Sequence, residues 1–434
     1  MFTFSELDEW VEGTSGRLIA TGLRPGDRLV LWMENEWRLV VYLLAALRAG
    51  IIACPLSTRL PSIDTELNLL DTAMLVSDRE GHDPDEFVTR TATAGEVFHP
   101  HSRPATVVLT TGSTGRPKAA LHSFGNHFYS AVGSNENIAV GPGDRWLLSL
   151  PMYHVGGMAI LFRCLIGRGT MVLRPDFPLQ EALTGITHVS LVSTQLQRLL
   201  RSEAQFAGLK AILLGGSAIP RGLIAAALDR GLPIHVSYGL TEMASQVATT
   251  RPHATRRELQ TSGRILRHRQ LQIAADGTLL VRGKTRFIGY VEGRTLIEPF
   301  LEDGWFATGD VGHFTKDGLL TVSGRVDNMF VSGGENVMPE EIEDALTALN
   351  IVERAVVVDV DDEEFGRRPV AFVDVGESVF NPSELRAALV KKLPAFKIPR
   401  RFFLWPERNA AAGMKVDRGF FRREADALMR RQES

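Results

Sequence analysis

Short apolar runs rich in Val, Ile and Leu recur along this chain, and many end in a Gly- or Ser-containing turn that opens a segment of helical spacing. In LKAILLGGSAIPRGLIAAALDRG the run is AILL, the turn holds Gly215 and Gly216, and a helix follows. THVSLVSTQLQRLLRS repeats that order, and PIHVSYGLTEMAS is another strand that reaches a polar loop. DRLVLWM reads as a buried strand, and EWRLVVYLLAALRAG as a helix ended by Gly50. Strands that alternate with helices predict α/β layers with largely parallel sheets. Ligands in such sheets sit outside the carboxyl ends of the strands, where these turns lie.

At 434 residues the chain exceeds one ordinary core and calls for two or three domains. A net charge of -3 gives no drive toward nucleic acid or an anionic membrane. The two cysteines, Cys54 and Cys164, form neither a disulfide framework nor the CxxC spacing of a zinc site. The acidic start MFTFSELDEWVEG lacks the basic region and apolar core of a signal peptide. The most apolar stretch, LVVYLLAALRAGIIACPL, is interrupted by Arg48 and Gly50 and reads as a buried helix followed by a buried strand rather than a membrane span. These features together predict a cytoplasmic protein.

The texture changes after about Phe287. Segments such as GHFTKDGLLTVSG and GRVDNMFVSGG are short and turn-punctuated, as antiparallel hairpins are. Beyond Asp327 a compact α+β pattern follows. PEEIEDALTALN is a helix with Pro339 near its start, VERAVVVDV and RPVAFVDV are strands, and NPSELRAALVKKL is a helix capped by Asn381 or Ser383. The expected organisation is a large domain, 1–326, of layered α/β sheets plus a β-rich subdomain, and a small mobile α+β domain, 327–434.

TTGSTGRPKAA, directly after the strand ATVVL, combines hydroxyls, glycines and one cation. Glycines let backbone N–H groups approach an anion, hydroxyls donate hydrogen bonds, and Lys118 adds charge. That is the chemistry of a phosphate cradle, although a surface turn has a similar composition. It is not a Walker A loop, because Gly112 and Gly115 are too close and Lys118 follows Pro117. YGLTE places Tyr238, Thr241 and Glu242 at a strand end. WFATGD ends in Asp310, an acid suited to accepting hydrogen bonds from two vicinal ribose hydroxyls. Arg325 and Asp327 lie at the domain boundary, and AAGMKVDR carries Lys415 near the C-terminus. Each residue alone has a plainer reading as a helix cap, a turn holder, a surface ion pair or a solvated lysine.

Taken in this order, the motifs closely resemble the adenylate-forming superfamily of acyl-CoA synthetases, adenylation domains and luciferases. The resemblance covers nearly the whole chain and begins with the opening FTFSELDEWVEGTSGRLIATGLRPGDRLVLWMEN. It implies that Thr110, Thr111, Gly112, Ser113, Thr114, Gly115 and Lys118 hold the β- and γ-phosphates of ATP. Gly215, Gly216, Ser217, Tyr238 and Gly239 would bracket the adenine. Thr241 would touch the α-phosphate, Glu242 would ligate Mg²⁺, and Asp310 and Arg325 would hold the ribose. Asp327 would be the hinge, and Lys415 the lysine that enters for adenylation. Gly333 and Gly334 would line a narrow tunnel for the thiol of CoA.

The acid is addressed by other segments. His154, in PMYHVGG, falls where this superfamily places an aromatic-His turn beside the acyl pocket. THVSLVSTQLQRLL, TTGSTGRPKAALHS and LLGGSAIP closely resemble the 2-succinylbenzoate–CoA ligases of menaquinone biosynthesis. That likeness implies an aromatic dicarboxylate as substrate, with Ser193, Thr194, Gln195 and Gly239 as donors or wall residues. The same polar groups also suit the cap of a helix. Another aryl- or acyl-CoA ligase, and an adenylation domain that loads a separate carrier protein, remain alternatives. Retention of Glu242 and Lys415 weighs against a non-catalytic nucleotide sensor. Small molecules are the expected partners, with monomer and homo-oligomer both open.

Overall fold

The computed structural model describes residues 2–79, 81–91, 101–111, 117–202, 206–349, 351–376, 378–406 and 417–433. Two seven-stranded sheets form the bulk of the larger part. The second has the order Arg264–Ile265, Ser245–Thr249, Ile234–Leu240, Ala211–Leu214, His188–Leu191, Arg145–Leu147, Thr170–Val172. From Ile234–Leu240 to Thr170–Val172 its strands run parallel, as the strand–turn–helix repeats predict. Helix Ser193–Arg201 follows strand His188–Leu191, and helix Arg221–Asp229 follows strand Ala211–Leu214. The turns of these units therefore collect at the carboxyl ends of the parallel strands.

The first sheet corrects the expectation of largely parallel pairing. Strands Arg28–Trp32, Ile52–Pro55, Met74–Ser77 and Pro104–Thr111 pair in parallel. Pro117–Ser123, Gly289–Glu292 and Thr295–Ile297 then add antiparallel. The cause is the short connection between Thr111 and Pro117, which can join antiparallel strands but is too short for a parallel crossover. This change of direction sets the two ends of the TTGSTGRPKAA loop, Thr111 and Pro117, opposite each other on neighbouring strands inside the sheet, and brings the strand that starts at residue 289 alongside Pro117–Ser123.

The apolar stretch near the N-terminus folds as read from the sequence. Helix Trp37–Ala49 is ended by Gly50 in the left-handed conformation, φ 71°, and strand Ile52–Pro55 is buried along its length. No helix among the described residues is long and apolar enough to cross a membrane. Helix Val155–Gly167 contributes Met158, Ile160, Leu161, Phe162 and Cys164 to a core that also takes Leu39, Leu43 and Trp146. Both cysteines are buried free thiols.

A four-stranded antiparallel sheet follows, ordered Arg269–Ile273, Thr278–Gly283, Phe306–Phe314, Leu320–Arg325. After the short turn Val326–Asn328 come a two-stranded hairpin, helix Pro339–Thr347, and a sheet of Arg354–Asp362, Gly366–Asp374 and Phe402–Leu404. Pro339 occupies the first turn of its helix. Asn381 caps helix Pro382–Val390 by accepting from the N–H groups of Ser383 and Glu384, which decides between the two cap candidates. The C-terminal part has its own core, built on Val337, Ile342, Leu346, Val357 and Val373. The fold is thus mixed α/β, with a large N-terminal part and a small α+β C-terminal part.

Candidate active site

The strongest local geometry surrounds Asp310. Strands Phe306–Phe314 and Leu320–Arg325 pair with Asp310 opposite Arg325. Arg325 Nη1 donates to Asp310 Oδ1 at 2.9 Å, and Tyr238 Oη donates to Asp310 Oδ2 at 2.6 Å. The carboxylate is buried, while Arg325 is partly open to solvent. Burial, then the charge of Asp310, pushes the Tyr238 phenol well up, so it stays protonated and donates. The second arm of Arg325, Nη2, donates to Asp327 Oδ2 at 3.3 Å. Asp327 lies in the turn Val326–Asn328, where the chain leaves the four-stranded sheet for the small C-terminal part.

A second group forms around Glu242. Tyr290 Oη donates to Glu242 Oε1 at 2.6 Å. Burial, then the adjacent carboxylate, raises this phenol as well. The ammonium of Lys118 lies 5.2 Å from the centre of the Tyr290 ring, in cation–π range. Lys118 is paired with Thr110 across the strands that carry the Gly-rich loop. The main chain beside Glu242 is fixed too. His122 Nε2 donates to the Thr241 carbonyl at 2.7 Å, and the Phe287 N–H donates to the Glu242 carbonyl at 2.8 Å. Tyr238 and Tyr290 pack on one apolar cluster with Phe287, Met243 and Phe306, so a single scaffold carries both groups.

Gly215, Gly216 and Ser217 follow strand Ala211–Leu214, with Gly216 at φ 84°. Ser217 Oγ lies 3.4 Å from Ser193 Oγ, which brings two neighbouring turns side by side. Thr194 is exposed. Gln195 is engaged at both ends: its Oε1 accepts from the Val192 N–H at 3.0 Å, and its Nε2 donates to the Ser149 carbonyl at 3.1 Å. These bonds make it a cap of its own helix and a tie to the neighbouring loop. Gly239 sits at a bulge against Ser245–Thr249, where an added Cβ would stand 2.2 Å from the Ser245 carbonyl oxygen.

His154 is the N-cap residue of helix Val155–Gly167, and its ring lies 4.7 Å from that of Tyr153. The turn before it is clamped by Asn35, which donates to the Leu150 carbonyl and accepts from the Met152 N–H, both at 3.0 Å. Gly333 and Gly334 form the turn of hairpin Phe330–Ser332 and Glu335–Val337, at φ 57° and 86°. Gly333 packs against Phe365, which a Cβ there would meet at 2.8 Å. Gly112, Ser113, Thr114, Gly115 and Lys415 lie outside the described residues, as does the side chain of Thr111.

The chemistry of this donor set suits Mg²⁺ held with phosphates. Among the described residues no three His, Cys, Asp or Glu side chains cluster as a ready-made metal cage. A single half-buried carboxylate, Glu242, is oriented by a phenol. Mg²⁺ commonly takes one or two carboxylates and fills its remaining positions with water and substrate phosphate. Tyr290 and His122 were not anticipated from the sequence. Only the aromatic in FIGYVEG and the His in KAALHS mark them, and neither pattern is specific.

Residues 1–291 match the AMP-binding enzyme family, and residues 341–410 match the AMP-binding enzyme C-terminal domain. The 2-succinylbenzoate–CoA ligase of Salmonella typhimurium is 36% identical over 424 residues, covering 96% of this chain and 91% of the relative. A structure of o-succinylbenzoate CoA synthetase from Bacillus subtilis with the acyl-adenylate intermediate OSB-AMP has a TM-score of 0.84 at 30% identity, covering 93% of this chain and 89% of that one. The same Bacillus subtilis enzyme with ATP and magnesium ion also has a TM-score of 0.84, at 29% identity, covering 93% of this chain and 90% of that one. With a family match over most of its length and a near-full-length relative at this identity, the chain belongs to the AMP-binding enzyme family.

Proposed function

We propose that this chain is an AMP-forming acid–thiol ligase that activates 2-succinylbenzoate with ATP and transfers the acyl group to CoA, in menaquinone biosynthesis. One juxtaposition carries the reading. A ribose-suited Asp310–Arg325 pair and a phosphate-suited Glu242–Tyr290–Lys118 group share a scaffold. They do so in a chain whose relatives over nearly its full length are named 2-succinylbenzoate–CoA ligases.

A carboxylate is a poor electrophile. Its oxygen attacks the α-phosphorus of ATP, and the bond from that phosphorus to the bridging oxygen of pyrophosphate breaks. The thiol of CoA then attacks the carbonyl of the acyl-adenylate, loses its proton, and AMP leaves. The first step brings anions together, so the site must supply positive charge and oriented donors. Lys118 and the Gly-rich loop meet the β- and γ-phosphates, Thr241 meets the α-phosphate, and Asp310 accepts from the ribose hydroxyls. Tyr238, Gly239 and the turn Gly215–Ser217 bracket the adenine. Glu242 is the protein ligand for Mg²⁺, which when bound offsets phosphate charge. Lys415 bridges the carboxylate and the α-phosphate during adenylation.

The acid lies between His154, Gly239 and the Ser193–Gln195 turn. The large domain spans 1–326 and the small domain 327–434, turning about Asp327 between the two half-reactions. Gly333 and Gly334 then line the thiol's path. The partners are the acid, ATP and CoA, in the cytoplasm. The reading is tested by following thioester formation from 2-succinylbenzoate, ATP, Mg²⁺ and CoA with the purified protein. Thioester without AMP release, or no thioester, would overturn it.

A further inference from the structure

The loop that carries Tyr153 and His154 follows strand Arg145–Leu147, at the carboxyl end of the parallel strands of the second seven-stranded sheet. The His154 N–H donates to the Pro151 carbonyl at 3.1 Å, which closes a turn over these residues. Helix Val155–Gly167 begins directly after it. The stretch from Ser149 to His154 belongs to no strand or helix, so its shape depends on what holds it from outside.

One holder comes from the other large sheet. Asn35 lies between strand Arg28–Trp32 and helix Trp37–Ala49. Its Nδ2 donates to the Leu150 carbonyl and its Oδ1 accepts from the Met152 N–H, both at 3.0 Å. A carboxamide presents a donor and an acceptor side by side, as a peptide group does, so Asn35 pairs with residues 150 and 152 as a neighbouring strand would. Its orientation is set too, because exchanging its oxygen and nitrogen would oppose like groups at both ends. Among the described residues, Asn35 is the one partner of each of these two backbone groups. Met152 is fully buried, so its N–H has no recourse to water.

The turn is closed in from the helix side as well. A Cβ at Gly157 would stand 2.2 Å from the Pro151 carbonyl oxygen and 2.6 Å from that of Leu150. The first turn of helix Val155–Gly167 therefore rests on the backbone that Asn35 holds. Ser149, at the start of the loop, is tied by Gln195 Nε2, which donates to its carbonyl at 3.1 Å. The loop is thus held from both large sheets and from its own helix.

We propose that Asn35 is a positioning residue for the acid: by pairing with the backbone of Leu150 and Met152 it sets Tyr153 and His154 against the acyl end of the site. This rests on the place of His154 beside the acid given under Proposed function. Asn35 acts through the turn, with both ends of its amide already engaged.

Pyrophosphate release is measured with purified wild type, Asn35→Ala and Asn35→Asp. 2-Succinylbenzoate is varied at saturating ATP and Mg²⁺, and then ATP at saturating acid. Folding of each variant is checked by circular dichroism and thermal melting. Asn35→Ala removes both bonds. Asn35→Asp keeps the shape and the bond from Met152, and sets a second oxygen against the Leu150 carbonyl. In each folded variant the KM for the acid is expected to rise roughly tenfold, as loss of one or two neutral hydrogen bonds would give, while the KM for ATP changes less than about twofold. A merely structural role would lower the melting temperature and the amount of active protein, and leave both KM values as in wild type. That result overturns the proposal, as does an equal rise in both KM values. If the alanine variant does not fold, Asn35→Asp decides the matter in the same way. If neither folds, Asn35 serves the fold and the proposal is overturned. A wild type that releases no pyrophosphate with 2-succinylbenzoate overturns the reading under Proposed function and the acid's place beside this turn together. A wild type that turns the acid over, with variants that retain its KM, overturns the role of Asn35 alone.

Discussion

Tyr290 and Glu242 lie 48 residues apart in the chain and meet through a 2.6 Å hydrogen bond, phenol to carboxylate. The contact exists because strand Gly289–Glu292 joins the far side of Pro117–Ser123, with Tyr290 opposite Ala120. Groups that orient a metal-binding carboxylate typically change metal affinity or activity by about 10–100-fold when removed. Tyr290→Phe keeps the ring under Lys118 and deletes only the donor. The Mg²⁺ concentration for half-maximal pyrophosphate release should rise by roughly tenfold, with the KM for the acid unchanged. An unaltered Mg²⁺ dependence would show that the bond does not orient Glu242.

Asp310 is the hub of the neighbouring group, accepting from both Tyr238 and Arg325. Asp310→Asn removes its charge and one acceptor, leaving Arg325 paired with Asp327 alone. Hydrogen bonds to charged groups contribute about 1.5–3 kcal/mol each, so the KM for ATP should rise about 10- to 100-fold. Deoxy-ATP lacking the 2′-hydroxyl should discriminate less between Asp310→Asn and wild type than ATP does. Equal losses with the two nucleotides would place Asp310 away from the ribose.

Two buried imidazoles predict an acid-side loss of stability. Burial lowers His122 to about 4 and His127 well below its ordinary value, while the bond from His122 to the Thr241 carbonyl opposes the shift. The unfolded chain takes up these protons near the ordinary value of 6.5, whereas the folded protein takes them only at lower pH. This contribution is therefore fully present above pH 6.5 and is lost as pH falls from there toward 4. His122 alone accounts for about 3 kcal/mol across that window. Urea midpoints between those limits should fall with pH, and His122→Gln should flatten the slope. An equally steep slope in the variant would contradict this.

On the proposed function, Lys415 serves adenylation alone, so its loss should separate the two half-reactions. Lys415→Ala should cut adenylate formation by roughly 10²- to 10³-fold, as loss of one charge-stabilising donor does elsewhere. Conversion of supplied 2-succinylbenzoyl-adenylate to thioester should continue at near the wild-type rate. Equal loss in both assays would contradict a small domain that turns between them.

Much of this was legible in local patterns. The alternation of strand and turn located the parallel sheet. The hairpin rhythm after Phe287 located Phe306–Phe314 and Leu320–Arg325, and their register then set Asp310 against Arg325. Pairing across long separations left no such trace. Tyr290 looks like any strand aromatic until Gly289–Glu292 docks on Pro117–Ser123. Asn35 looks like an ordinary turn residue until the loop after strand Arg145–Leu147 closes on it. Gln195 was open between pocket and cap because its sequence neighbourhood suits both, and only the positions of Val192 and Ser149 show what its amide touches.

The most direct test of the central claim is product formation across a panel of acids, with ATP, Mg²⁺ and CoA. The account predicts 2-succinylbenzoyl-CoA with one AMP and one pyrophosphate per thioester, and far slower turnover of benzoate and octanoate. Preference for octanoate, or no pyrophosphate release with any acid, would contradict it.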